Sequence, residues 1–162
     1  MDPKVRKQVL RLISNGMYVV TSRVADGHAA ATITWLTQVS FDPPLLSLGV
    51  RPGSRISEAL HESRRAVVHI LGTDQQAIAK SFFVAPEVDT QGGVLTIGGH
   101  AFEPTDAGAR LLDARAWMTC QVIDTLDCGG DHNLMVLEVI AVGEDGEVEP
   151  LTVQTSPWSY GG

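Results

Sequence analysis

The sequence predicts a mainly β fold: a small, mostly antiparallel barrel with helices at its periphery. Three observations lead there. Short runs rich in β-branched and aromatic residues recur along the chain, separated by Gly, Pro, Asn and Asp. Only two or three segments carry helical spacing. Strands do not alternate regularly with helices, which argues against a doubly wound parallel sheet. At 162 residues the chain fits one domain, 1–162, and is long enough to bury a full core.

The elements follow in order. Val5, Val9, Leu12 and Ile13 share one face at helical spacing, so residues 3–14 are expected to form a short amphipathic helix that Asn15-Gly16 ends. Residues 17–23 suit a strand. Asp26-Gly27 marks a hairpin turn, and the return strand covers 28–34. Another strand runs through Val39-Ser40-Phe41 until Asp42-Pro43-Pro44 breaks it. Residues 45–50 form a short apolar run of buried-strand type. Gly53-Ser54 then opens a helix to about residue 61. A further strand spans 66–71. Thr73-x-x-Gln76 has the form of a capping box for a helix over 74–83, with Ala77, Ile78, Phe82 and Phe83 toward its inner side. Residues 84–110 are rich in Gly, Pro and Asp and show one short strand at 94–97. An excursion of that length suits a flap or a packing arm. Residues 117–123 and 133–142 are two more strands, Asp145-Gly146 marks one more hairpin, and the last stretch carries Trp158 and Tyr160.

Bulk properties exclude several classes. A hydrophobic fraction of 44% with 19% charged residues is globular rather than disordered. A net charge of −7 argues against a nucleic-acid surface, which needs clustered Lys and Arg. No apolar run approaches the roughly 20 residues that span a bilayer, and the charged start Met1-Asp2-Pro3-Lys4 lacks a signal-peptide core. Cys120 and Cys128 form neither a Cys-x-x-Cys motif nor a disulfide framework, so two free thiols in the cytoplasm are expected. No His or Cys pair has zinc-ligand spacing. Rossmann, P-loop and nucleophile-elbow signatures are absent.

Four short motifs carry chemistry. Thr32-Ile33-Thr34-Trp35-Leu36-Thr37-Gln38-Val39-Ser40 is unusually polar for a strand. Threonines serve β propensity there, yet hydroxyls and backbone groups beside a large aromatic also suit the edge and face of a flat heterocycle. Arg51-Pro52-Gly53-Ser54 precedes a helix start, where free N–H groups, Ser54 and Arg51 make either an anion site or an ordinary N-cap with a surface charge. Lys80-Ser81-Phe82 ends the next helix, where Lys80 either binds phosphate or complements the helix dipole. Gly130-Asp131-His132 is a tight turn in which Asp131 can orient the imidazole, and equally an ordinary hairpin turn. His69, in an apolar strand, is a core or interface residue.

These pieces together resemble the flavin reductase-like, FMN-binding split-barrel family. The family's segment Thr-Ala-Asn-Ser-x-Thr-Ser-Val-Ser-x-x-Pro-Pro-Leu corresponds to Thr32 through Leu45. Its Gly-Asp-His leading into Glu-Val corresponds to Gly130-Asp131-His132 and then Glu138-Val139, and Ser54 and Phe82 match at the positions between. The resemblance implies a homodimeric, mostly antiparallel split barrel, a single FMN-binding domain, with flavin between the subunits. It implies FMN (or FAD), with NADH or NADPH as co-substrate, and hydride transfer from nicotinamide C4 to flavin N5. A monooxygenase or other redox protein would be the partner. Thr32, Ile33, Thr34, Trp35, Thr37 and Gln38 would contact isoalloxazine and ribityl. Gly49, Val50, Arg51 and Ser54, with Lys80, Ser81 and Phe82, would hold the phosphate region. His132 would stand near flavin and nicotinamide, and Trp158 or Tyr160 would cover the flavin. Trp35 stands where the family has a small polar residue, and Gln38 where it has Ser. In Trp35 the chain resembles the flavoredoxin-like branch, whose bound flavin carries electrons.

Overall fold

In the computed structural model, which describes residues 1–160, β1 (Tyr18–Val24) and β2 (Gly27–Ile33) form the expected hairpin, with Val24 opposite Gly27 and Tyr18 opposite Ile33. β3 (Leu36–Phe41) and β4 (Pro44–Val50) make the second hairpin, turning at a cis Asp42–Pro43 peptide. β5 (Arg65–Ile70) joins β1 and β10 (Ala116–Leu126), and β11 (Asn133–Glu144) joins β10 and β4. The resulting seven-stranded antiparallel sheet has the order β2-β1-β5-β10-β11-β4-β3.

That order dictates curvature. β2 and β3 are the two outer edges of the sheet, yet only Thr34 and Trp35 separate them in the chain. Two linking residues reach about 10 Å at full extension, whereas seven flat strands at about 4.8 Å spacing would hold their edges about 29 Å apart. The sheet therefore curls round until its edges face each other across a split, and Thr34-Trp35 lies in that split. One core fills the inside: Val20, Leu48, Val68, Val122, Met135 and Leu137 from the strands, closed by Ile56, Ala59 and Leu60 of α2 (Arg55–Ser63). Truncating a fully buried leucine such as Leu48 costs about 2–5 kcal/mol at such positions.

A second core lies outside the barrel. Met17, Val19 and Ala30 pack there with Leu71, Ala79 and Phe82 and with a separate four-stranded meander. The meander consists of β6 (Val88–Gln91), β7 (Val94–Ile97), β8 (His100–Pro104) and β9 (Ala109–Leu111). Residues 84–110, expected to hold one strand, thus hold this small sheet. Its turns are Gly92-Gly93 and Gly98-Gly99, with positive φ throughout (59° and 85°, 60° and 80°), as tight two-residue hairpins require. His69 pins the two sheets together. It is wholly buried; its Nε2 accepts the Leu111 N–H at 3.0 Å, so its Nδ1 carries the hydrogen donated to the Val19 carbonyl at 2.8 Å.

Other expectations need correction. α1 (Pro3–Leu10) stops four residues early, and none of its residues is buried. The capping box at Thr73 does not form. α3 (Gln76–Ser81) begins later with Gln75 at its N-cap and no side-chain cap, because the Gln75 amide is taken by the Gly72 N–H and the Asp113 carbonyl. Asp145-Gly146 turns no hairpin. Instead, residues 149–153 run back along the barrel as single bridges, with Leu151 hydrogen-bonded to Leu71 and Met17 and almost wholly buried. Among the described residues no helix is long and apolar enough to cross a membrane.

Candidate functional site

The barrel's split opens into a cavity of about 220 Å³. β2 and the link after it supply Thr32, Ile33, Thr34 and Trp35, the end of β4 supplies Gly49, Val50 and Arg51, and the start of α2 supplies Ser54. His132 comes from the start of β11, and Phe83 and Tyr160 complete the wall. Three of the four sequence motifs thus meet here, because the split lies between the elements that carry them.

The two threonines of the link differ. Thr32 is committed to the fold: its N–H donates to the Phe82 carbonyl at 3.0 Å and its hydroxyl to the Ala79 carbonyl at 2.6 Å. It thereby gives a second donor to a carbonyl at the end of α3 that also accepts the Phe82 N–H at 3.2 Å. Thr34, only 7% exposed, lines the cavity, and no hydrogen bond engages its hydroxyl among the described residues. As a hydroxyl it offers the cavity one donor and two acceptor lone pairs.

Trp35 is fixed rather than loose. Its carbonyl accepts the Gly49 N–H at 2.8 Å, and a Cβ on Gly49 would sit 3.2 Å from the Trp35 Cβ, so glycine makes room for the indole. The indole meets His132 edge-on at 4.5 Å and Tyr160 edge-on at 5.8 Å. On its far side lies a larger cavity of about 590 Å³, which also touches Gly49 and His132 and includes Thr37, Cys128 and Asn133.

His132 Nδ1 lies 3.0 Å from the Asp131 carboxylate, and its side chain is 16% exposed. The hydrogen bond from His132, and then its charge, hold the Asp131 carboxyl below the usual carboxylate range, with a smaller contribution from Arg51. At the other end of the cavity, the Ser54 hydroxyl donates to the Arg51 carbonyl at 2.7 Å and accepts the Ser57 N–H at 3.3 Å. Ser54 is the N-cap of α2, and the N–H groups of the first turn lie beside Arg51.

Six expected site residues lie elsewhere. Thr37 lines the larger cavity and Trp158 a third one of about 370 Å³, which shares Thr32, Thr34, Phe83 and Tyr160 with the first. Gln38, Lys80, Ser81 and Phe82 line none of the three. Gln38 is exposed on β3 and bonds the Ser40 carbonyl. Lys80 points to solvent, and the Ser81 hydroxyl is held by Ala77 and His100. Phe82 is a core residue at 2% exposure, and its neighbour Phe83 faces the cavity instead. That shift follows from α3 ending at Ser81, which turns Phe83 off the helix. The double aromatic just before Val84-Ala85-Pro86 was the available signal. Among the described residues no cluster of His, Cys, Asp and Glu can hold a metal ion.

The family model described as a flavin reductase like domain matches residues 10–157. The chain belongs to the flavin reductase-like family. Within it, the NADH-dependent flavin reductase StyB of Pseudomonas fluorescens is 30% identical over 144 residues, 88% of this chain and 79% of that protein. The reductase component of a 4-nitrophenol monooxygenase from Rhodococcus opacus is 28% identical over 94% of this chain and 77% of its own length. The styrene monooxygenase flavin reductase SMOB of Pseudomonas putida S12 superposes with a TM-score of 0.74 at 27% identity, covering 91% of this chain and 90% of that one. The chain spans only about a quarter of the diflavin flavoproteins it also matches, such as one from Nostoc sp. at 31% identity over 90% of this chain and 25% of that protein. SMOB thus shares the overall fold of this chain.

Proposed function

We propose that this chain is a flavin-dependent NAD(P)H oxidoreductase of the flavin reductase type, with FMN as its flavin. One observation carries the reading: an anion-binding end, a free hydroxyl on a polar strand link and an oriented imidazole line a single cavity. Arg51 and the N-terminus of α2 suit a phosphate. The Thr34 hydroxyl suits a heterocycle's polar edge, and Trp35, Phe83 and Tyr160 suit its faces. When bound, flavin supplies the redox chemistry, taking hydride from a nicotinamide and passing electrons onward.

The chain's own residues bind, orient and handle protons. The Asp131 carboxylate only accepts, so Nδ1 of His132 carries the hydrogen between them. That leaves Nε2 to bond the nicotinamide amide or move a proton beside the ring. The names of the relatives, reductase components of monooxygenases, support a monooxygenase or other redox protein as electron acceptor. Homodimerisation is supported by α1 and the residues after it, whose apolar Val5, Val9, Leu12 and Ile13 are exposed at 52%, 57%, 81% and 57% in the single chain. With the exposed Cys128 and buried Cys120 both free, we place this activity in the cytoplasm.

A second reading, an FMN electron carrier without NAD(P)H activity of its own, is favoured by Trp35 and Tyr160, which together hedge the cavity. Mixing the flavin-loaded protein with NADH or NADPH without oxygen decides between them. Bleaching within seconds supports the reductase; lasting yellow colour overturns it in favour of the carrier. In the reductase case, His132→Ala slows bleaching by about a hundredfold while flavin still binds. An undiminished rate removes His132 from the reaction.

A further inference from the structure

Trp158 stands outside the flavin cavity, yet its contacts lead back to the imidazole in a short series. Its ring meets Phe83 edge-on with centroids 4.8 Å apart, and its N–H is tied to the Ser156 hydroxyl at 3.2 Å. Ser156 in turn donates to the Val153 carbonyl at 2.9 Å, and the Val153 N–H donates to the Asn15 carbonyl at 2.9 Å. Residues 153–158 are therefore a laced segment docked on the barrel. Two residues further on, Tyr160 reaches the flavin cavity and meets Trp35 at 5.8 Å, and Trp35 meets His132 at 4.5 Å.

We infer that Trp158 is a positioning residue: clasped to Phe83, it holds Tyr160 against Trp35, and Trp35 holds the His132 ring. The physical basis is that His132 has one polar tether. Asp131 fixes Nδ1, and the indole edge packs against the ring at 4.5 Å between centroids, opposing a swing about that bond. The indole's own freedom is limited by Gly49 on one side and Tyr160 on the other. Tyr160 is 48% exposed and makes no hydrogen bond among the described residues, so its place depends on the segment that carries it. The anchor is thus Trp158, two residues away and packed, partly buried, against the second core. The inference builds on the site reading above, since it assigns His132 the working role there.

The test is made on flavin-free protein, so it stands apart from whether flavin binds. The side-chain resonances of His132, shifted by the Trp35 ring, are followed by NMR, with those of buried His69 as the internal control. In Trp158→Ala and in Tyr160→Ala the His132 signals move away from their wild-type positions while His69 stays put. Trp158→Phe, which keeps a ring against Phe83, restores them. Flavin titration of Trp158→Ala then shows binding weaker by about twofold to tenfold, the worth of one aromatic pair. The inference is overturned if His132 is unmoved in Tyr160→Ala, a replacement at an exposed site that leaves the core intact. It is equally overturned if Trp158→Ala shifts His69 as much as His132, which would make Trp158 a general core residue.

Discussion

At the scale of single residues, the informative contrast is between two threonines two positions apart. Both were legible as hydroxyls on a polar strand. Their division of labour was not, because it depends on the end of α3 arriving from some 47 positions away in the chain to claim the hydroxyl of Thr32. Thr34 faces the cavity with its hydroxyl free. Two substitutions separate the roles. Thr34→Val is expected to weaken FMN binding about fivefold, the net worth of a typical hydrogen bond, with an unchanged urea midpoint. Thr32→Val is expected to cost about 1 kcal/mol of stability by removing the hydroxyl's bond to the Ala79 carbonyl, and its effect appears in the urea midpoint. The same lesson applies to Lys80-Ser81-Phe82. The segment itself lines none of the cavities near the split; a one-residue difference in where a helix ends puts Phe83 rather than Phe82 on the cavity wall, and capping patterns do not resolve that.

At the scale of elements, the barrel hairpins and the N-cap at Ser54 were readable from alternation, turn residues and the Arg-Pro-Gly-Ser run. The meander of residues 88–111 was obscured because its strands are three to five residues long, too short for periodicity to register. Only the strand at 94–97 was legible there, and the two Gly-Gly turns were the signals for the rest. The junction between meander and barrel rests on His69, whose burial lowers its pKa to about 4 despite the Val19 hydrogen bond. Above the unfolded-state value of about 6.5 the ring is neutral in both states and the junction contributes fully. As pH falls below that value, the unfolded chain takes up a proton that the folded chain refuses, so stability declines until pH reaches the folded-state value near 4. The expected loss is about 2 kcal/mol at pH 5, measured as the difference between urea unfolding curves at pH 7 and pH 5. His69→Gln, which keeps a donor and an acceptor but no titration, flattens that slope, and an equally steep slope in the variant assigns the acid sensitivity to other groups.

At the scale of the whole molecule, the site follows from topology. A seven-stranded sheet whose edge strands are joined by two residues must curl, and the seam it leaves is where Thr34, Trp35, Arg51 and His132 meet. The residue pattern pointed to a small antiparallel barrel but not to its strand order, because pairing order is a long-range property; the split came from likeness to a family. The helical pattern held over Pro3–Leu10, but its apolar face finds no cover among the described residues. If a second copy covers it, Val9→Asp will convert a dimer to a monomer by light scattering without lowering the unfolding temperature. A wild-type monomer under the same conditions removes the homodimer from the account.

The central claim, that the seam of the barrel is a flavin site, is tested most directly by titrating the flavin-free protein with FMN in a calorimeter. The account predicts saturable binding at one FMN per chain, weakened by Thr34→Val and by Arg51→Ala. Absence of saturable heat, or binding that neither substitution disturbs, would contradict it.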